Sequence, residues 1–100
     1  MRTLDHPDAD EITIDGVLAA LADPVRRSIV IKLADGHSEL ACIAFDLPVS
    51  KSTSTHHFRV LREAGVIRQR YRGTAIHNSL REDELGERFP GLLAAVIAAR

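Results

Sequence analysis

The residue spacing along this chain switches from helical to strand-like at Gly65, and that switch restricts what the chain can fold into. Before Gly65, the residues Ser54, His57, Phe58 and Leu61 recur three and four apart, the period of one helix face. After it, Val66, Ile67, Gln69 and Tyr71, then Thr74, Ile76 and Asn78, surround a central Arg72-Gly73 with strand-like spacing. Glycine supplies the backbone geometry of a tight turn, so this stretch reads as two short strands of a β-hairpin. Ser50 caps the helix, which runs to Ala64-Gly65 and leads directly into the hairpin.

Upstream the pattern is helical. Ile14, Val17, Leu18 and Leu21 form a first stripe. Asp23-Pro24 starts a second helix, because Asp accepts bonds from orphan amides and Pro at the first position loses no needed donor. That helix turns Val25, Ile29, Val30 and Leu33 inward and stops near Asp35-Gly36. Leu40, Ile43, Ala44 and Leu47 make a third, short stripe ended by Pro48. Residues 1–12 lack such a pattern and read as a flexible arm. Downstream, Leu80 to Phe89 suits a short polar helix, and Pro90 opens a last helix over residues 91–99. From Leu92 to Ala99 that helix is apolar all round, and a single domain of 100 residues has little room to enclose it at its end. A partner chain is the expected cover. The fold class is therefore mainly α with a small β-hairpin, in the order α-α-α-α-β-β-α.

Composition narrows the function classes. Hydrophobic residues make up 45% and charged residues 27%, an ordinary globular balance without a long disordered tract. The longest apolar run is far short of the ~20 residues of a membrane span. Asp5, Asp8, Asp10 and Glu11 stand where a signal peptide would be apolar, and Cys42 is the single cysteine; both suit a cytoplasmic protein. Four aromatic residues and no Trp argue against a stacking platform for single-stranded nucleic acid. No Ser-His-Asp, Cys-His, paired-carboxylate or phosphate-loop arrangement appears, so the chain does not read as an enzyme.

The net charge of −1 hides an asymmetry. Lys51 to Arg72 holds six cations against Glu63, a net of +5, while the remainder carries −6. Such a segment is either the footprint of a polyanion partner or a solvated charged face. Order and spacing favour the former. A short helix, a tight turn at Leu47-Pro48-Val49-Ser50, a capped helix and a basic hairpin make a winged helix-turn-helix. With Ser54, His57, Phe58 and Leu61 inward, Lys51, Ser52, Thr55, His56 and Arg59 fall on the outer face, where a recognition helix meets base edges and phosphates. Arg70 and Arg72 on the wing are placed to straddle a neighbouring groove or backbone. His56 and His57 point about 100° apart and do not make a chelating pair. His57 reads as a core histidine and Cys42 as an inert thiol.

Two segments also resemble a known family. Leu21 to Val30, LADPVRRSIV, is similar to the ALADPTRRxIL opening of ArsR-type transcriptional regulators, and Ser50 to Val66, SKSTSTHHFRVLREAGV, resembles their SQSTVSRHLKVLREAGLV recognition segment. The resemblance covers roughly residues 14–99 and implies a homodimeric winged-helix repressor on a palindromic double-stranded DNA operator. It further implies dimer contacts from the first and last helices, which fits Leu18 together with Leu92, Leu93, Val96 and Ile97. Metal-sensing members carry Cys-x-Cys on the third helix; here Glu39 and Ala41 fill those slots, with Cys42 on the adjoining Asp. The last helix also lacks the His, Asp and Glu of the other common metal site. No metal, dithiol or other cofactor site is expected, and the releasing effector is a non-metal signal left open. The rival reading is a protein-interaction winged helix without DNA binding.

Overall fold

In the computed structural model, which describes residues 3–36 and 39–99, Thr13 and Asp23 set the first two helices. The Thr13 hydroxyl accepts from the Gly16 amide at 3.0 Å and begins α1 (Ile14–Leu21). Asp23 Oδ1 accepts from the amides of Val25 and Arg26 at 2.8 and 3.1 Å and begins α2 (Pro24–Ala34). The Arg26 amide bond lowers the Asp23 pKa further than any other contact, partial burial opposes it, and the Val25 amide adds a smaller lowering. Val17, Ala20 and Leu21 of α1 meet Ile29, Val30 and Leu33 of α2 in the core. Ile14 and Leu18, the other half of the expected first stripe, stay 40% and 48% exposed.

The expected third helix is absent. Leu40–Ala41 instead form a two-residue strand, β1, pairing with Asn78 and His77, and only Cys42–Ala44 coil, as a single 3-10 turn. The physical reason is competition for the backbone. The sheet takes the hydrogen bonds at Leu40 and Ala41, the Asn78 amide group donates to the Leu40 carbonyl at 3.1 Å, and Pro48 closes the other end. Too few residues remain for a helical turn to propagate. Ile43, expected inward, is 92% exposed, while Phe45 is buried edge-on against Phe58 with ring centres 5.3 Å apart.

Ser50 begins α3 (Lys51–Glu63), its Oγ accepting from the Thr53 amide. The helix ends in a Schellman motif: Val66 N–H donates to Leu61 O and Gly65 N–H to Arg62 O, both at 3.0 Å, with Gly65 at φ +83°. The chain then runs into β2 (Ile67–Arg72) and returns as β3 (Ala75–Leu80), in register from Ile67 opposite Leu80 to Arg72 opposite Ala75. Gly73 takes the left-handed first position of the two-residue loop. The sheet order is β1-β3-β2, all antiparallel. Two helices follow, α4 (Glu82–Arg88) and α5 (Leu92–Ala98). Five α-helices, this small sheet and two 3-10 turns, Ala9–Glu11 and Cys42–Ala44, make up the regular structure of the described residues.

The segment expected to be a free arm is packed against the body over residues 4–12. Ile12 is 1% exposed in the core. Two side chains from elsewhere in the chain hold its backbone through three hydrogen bonds: Arg81 donates to Pro7 O, and Arg88 to Ala9 O and Ile12 O. Arginines that look like solvent-facing charge in the sequence thus act as clasps. No helix among the described residues is long and apolar enough to cross a membrane.

Candidate nucleic-acid interface

The outer face of α3 carries the residues that the helical period placed there. Lys51, Ser52, Thr55, His56 and Arg59 are all exposed, while His57, Phe58 and Leu61 are buried and Ser54 is half-buried. Burial of that inner stripe fixes the rotation of the helix and hence which side chains can reach a groove. Thr55 donates its hydroxyl to Lys51 O at 3.0 Å, which leaves its lone pairs and methyl facing outward. His56 Nδ1 lies 3.4 Å from Arg59 Nη2, one turn along the same face. Accepting from the guanidinium at Nδ1 leaves Nε2–H as the outward donor, suited to the N7 or O6 acceptors of a purine edge.

His57 sits on the opposite face. Its Nδ1 is 3.1 Å from Arg26 Nη1, and Arg26 also donates through Nε to Ala20 O at 2.6 Å. One half-buried arginine therefore joins the last turn of α1 to the middle of α3. The reading of His57 as an interior histidine holds, with Arg26 as the partner that sequence could not name.

Arg70 and Arg72 are exposed on β2, but they do not project freely. Arg70 Nε donates to Glu39 Oε2 at 2.7 Å and Arg72 Nε to Glu39 Oε1 at 2.5 Å, with His77 Nδ1 3.2 Å from the same carboxylate. Burial pushes the Glu39 carboxyl up, yet the two arginine hydrogen bonds outweigh it and hold the group below the usual carboxylate value. Arg68 is likewise paired, with Glu84 at 2.9 Å. Glu84 also binds Arg81, whose hydrogen bond is the main cause of a pKa lowered to about 2. Glu39, from outside Lys51–Arg72, thus reduces that segment's +5 to +4, and Glu84 divides its charge between Arg68 and Arg81. Lys51 and Arg59 take part in no ion pair among the described residues.

This geometry coincides with the regions matched by known proteins. A family model described as "Bacterial regulatory protein, arsR family" matches residues 23–69, from the cap of α2 into β2. The chain is 34% identical over 79 residues to the uncharacterized HTH-type transcriptional regulator YceK of Bacillus subtilis, covering 77% of this chain and 79% of that one. It is also 34% identical over 67 residues to the transcriptional repressor SdpR of the same organism, covering 67% and 74%. The chain belongs to the arsR family. An ArsR-like transcriptional regulator from Rhodococcus sp. RHA1 superposes with a TM-score of 0.58 at 27% identity, over 85% of this chain and 86% of that one. A crystal structure of another ArsR-family regulator shares the fold, with a TM-score of 0.62 at 22% identity. This ArsR-family chain is thus a DNA-binding helix-turn-helix transcriptional regulator, with α3 in the recognition position and β2–β3 as the wing.

Behind the wing lies a buried polar chain that sequence reasoning missed. Arg62 Nη1 donates to Gln69 Oε1 and Gln69 Nε2 to Asn78 Oδ1, both at 2.8 Å; Asn78 Nδ2 lies 3.2 Å from Cys42 Sγ. His6 Nε2 closes it by accepting the Gln69 amide at 2.9 Å. Arg62 Nε is buried without a partner among the described residues. The available signal was strand parity: Gln69 shares a face with Ile67, and Asn78 lies opposite it in register. Burial raises the Cys42 thiol's pKa, and the Asn78 hydrogen bond only partly offsets this, so the thiol is poorly nucleophilic. His6 and His77, given no role from sequence, bind the Gln69 amide and Glu39 respectively; His37 lies outside the described residues. Of the former Cys-x-Cys slots, Glu39 is committed to the wing arginines and Ala41 to β1. Among the described residues no three His, Cys, Asp or Glu side chains are grouped so as to hold a metal ion.

Proposed function

We propose that the protein is a homodimeric repressor that reads a palindromic operator in double-stranded DNA. The observation that carries this reading is the exposed face of α3, where Lys51, Ser52 and Arg59 flank Thr55 and His56 on a helix whose other side is locked in the core. Thr55 and His56 have the length and chemistry to reach base edges in the major groove. Lys51, Ser52 and Arg59, with Arg70 and Arg72 on the wing, hold phosphates, which position the protein without reading sequence. The similarity to SdpR, a transcriptional repressor, supports repression over activation.

Dimerisation is supported by α5, which has no buried residue although every one of its positions is apolar. Leu92, Leu93, Val96 and Ile97 lie half-buried against the core, and Ala94, Ala95 and Ala98 face outward. Leu18 and Ile14 offer further exposed apolar area on α1. A two-fold axis through these helices places two recognition helices on one duplex, and the operator inherits that symmetry. Release by a non-metal effector follows from the identity of the residues in the metal-sensing slots, Glu39 and Ala41. Footprinting on DNA upstream of the protein's own gene tests operator binding. Sedimentation at micromolar concentration tests assembly: the expected species has twice the 11.0 kDa chain mass, and a clean monomer overturns the dimer.

A further inference from the structure

The carboxylate that pairs with both wing arginines is Glu39, from the segment before β1, and it lies where a DNA-binding surface should be least negative. Both of its oxygens are used, one by Arg70 and one by Arg72, and His77 approaches from β3, directly across from Arg70 in register. The two arginines are two residues apart on β2 and so point to the same face of the strand. Their side chains are 58% and 55% exposed, whereas that of Glu39 is 17% exposed. The carboxylate is therefore set behind and the guanidiniums in front. Each guanidinium meets Glu39 through Nε, the atom nearest its own backbone, which leaves the two Nη groups farther out.

Resting on the DNA-binding reading above, we propose that Glu39 is a positioning residue of the interface. It aligns the two wing arginines and tempers their hold on phosphate. Two effects oppose each other. Alignment favours DNA binding by restricting side chains that would otherwise wander. The fixed negative charge disfavours it, because every phosphate reached by Arg70 or Arg72 also meets the carboxylate that pairs them. The second effect dominates. An exposed ion pair restrains its partners weakly, whereas a charge this close to the duplex lies well inside the Debye length of about 10 Å at 0.1 M salt. The wing so tempered keeps generic DNA affinity low and leaves discrimination to the α3 face.

The test is the salt dependence of binding to a fluorescein-labelled 30-base-pair duplex of mixed sequence, followed by anisotropy at one fixed pH. Glu39→Gln should tighten binding roughly three- to tenfold at 0.1 M salt and steepen the log–log salt slope by about one. Glu39→Asp, which keeps the charge, should keep the wild-type slope. In the Arg70→Ala/Arg72→Ala background, Glu39→Gln should change affinity by less than about twofold, because without those arginines the wing no longer brings phosphate up to the carboxylate. Thermal melting followed by circular dichroism checks that each variant is folded. A Glu39→Gln protein that binds more weakly, or with an unchanged slope, overturns the proposal, as does an undiminished effect in the double-alanine background. If the wild type shows no salt-dependent duplex binding, the DNA-binding reading itself falls and takes the proposal with it.

Discussion

Gly65 joins the recognition helix to the wing, and replacing it with alanine should be among the most damaging single-methyl changes available to this chain. Its φ of +83° is a backbone conformation that costs an L-residue about 1–2 kcal/mol. A Cβ there would also lie 2.5 Å from Ile12 Cγ1 and 2.6 Å from Cδ1. Ile12 cannot swing clear: it is β-branched, 1% exposed, and its carbonyl is held by Arg88 at 2.7 Å. Relieving the overlap means moving the packed N-terminal segment, an overpacking cost of about 1–3 kcal/mol. The sum, roughly 2–5 kcal/mol, is a large part of the ~5–15 kcal/mol that stabilises a domain. For Gly65→Ala the urea midpoint should fall by roughly 1–3 M. Gly73→Ala is the control, because Gly73 is also left-handed, at φ +63°, with nothing within 4 Å of its would-be Cβ. It should show the backbone cost alone. Gly65→Asn should show mainly the overlap, since Asn tolerates the left-handed region. Equal midpoints for Gly65→Ala and Gly73→Ala would refute the claim that Ile12 packs against this turn.

Four further outcomes are expected. His6 is held neutral, chiefly by burial and further by Arg68, Arg62 and Arg81, with its pKa lowered from 6.5; the unfolded chain therefore takes up a proton that the folded chain refuses. Stability should be full above pH 6.5 and decline below it, and His6→Gln should flatten that decline in urea titrations carried down from pH 6.5. Glu84, lowered to about 2, acts further down: its contribution is present above the ordinary carboxylate value of 4.5 and lost as pH falls toward 2, so Glu84→Gln should remove that acid-range slope. On the footprinted operator, Thr55→Ala or His56→Ala should cost about 1–3 kcal/mol with little effect on scrambled duplex, whereas Arg72→Ala should weaken both alike; equal losses on both duplexes from the helix variants would reverse the assignment of reader and clamp. Stoichiometric zinc, cadmium or arsenite should not release the operator, as measured by anisotropy, and release by one equivalent per protomer would point to Cys42.

Local chemistry was legible in the sequence because neighbours in the chain decide it. Asp23-Pro24 starts α2 and Ser50 starts α3, because caps act within three residues. The buried His57, Phe58 and Leu61 follow from a 3.6-residue period, and that burial alone turns Thr55 and His56 outward. The two-residue loop at Gly73 follows from the left-handed backbone it requires. Tertiary structure decided whatever depended on distant partners. Leu40 and Ala41 have a helical pattern but pair with β3, since sheet hydrogen bonds formed across more than thirty residues outweigh a weak local stripe. Residues 4–12 carry no periodic signal, yet arginines more than seventy positions away clasp their backbone. The charge of the interface was decided in the same way. Counting along the chain finds a basic segment, but Glu39 and Glu84 reach it only through the fold, because electrostatic energy depends on separation in space and takes no account of separation in sequence.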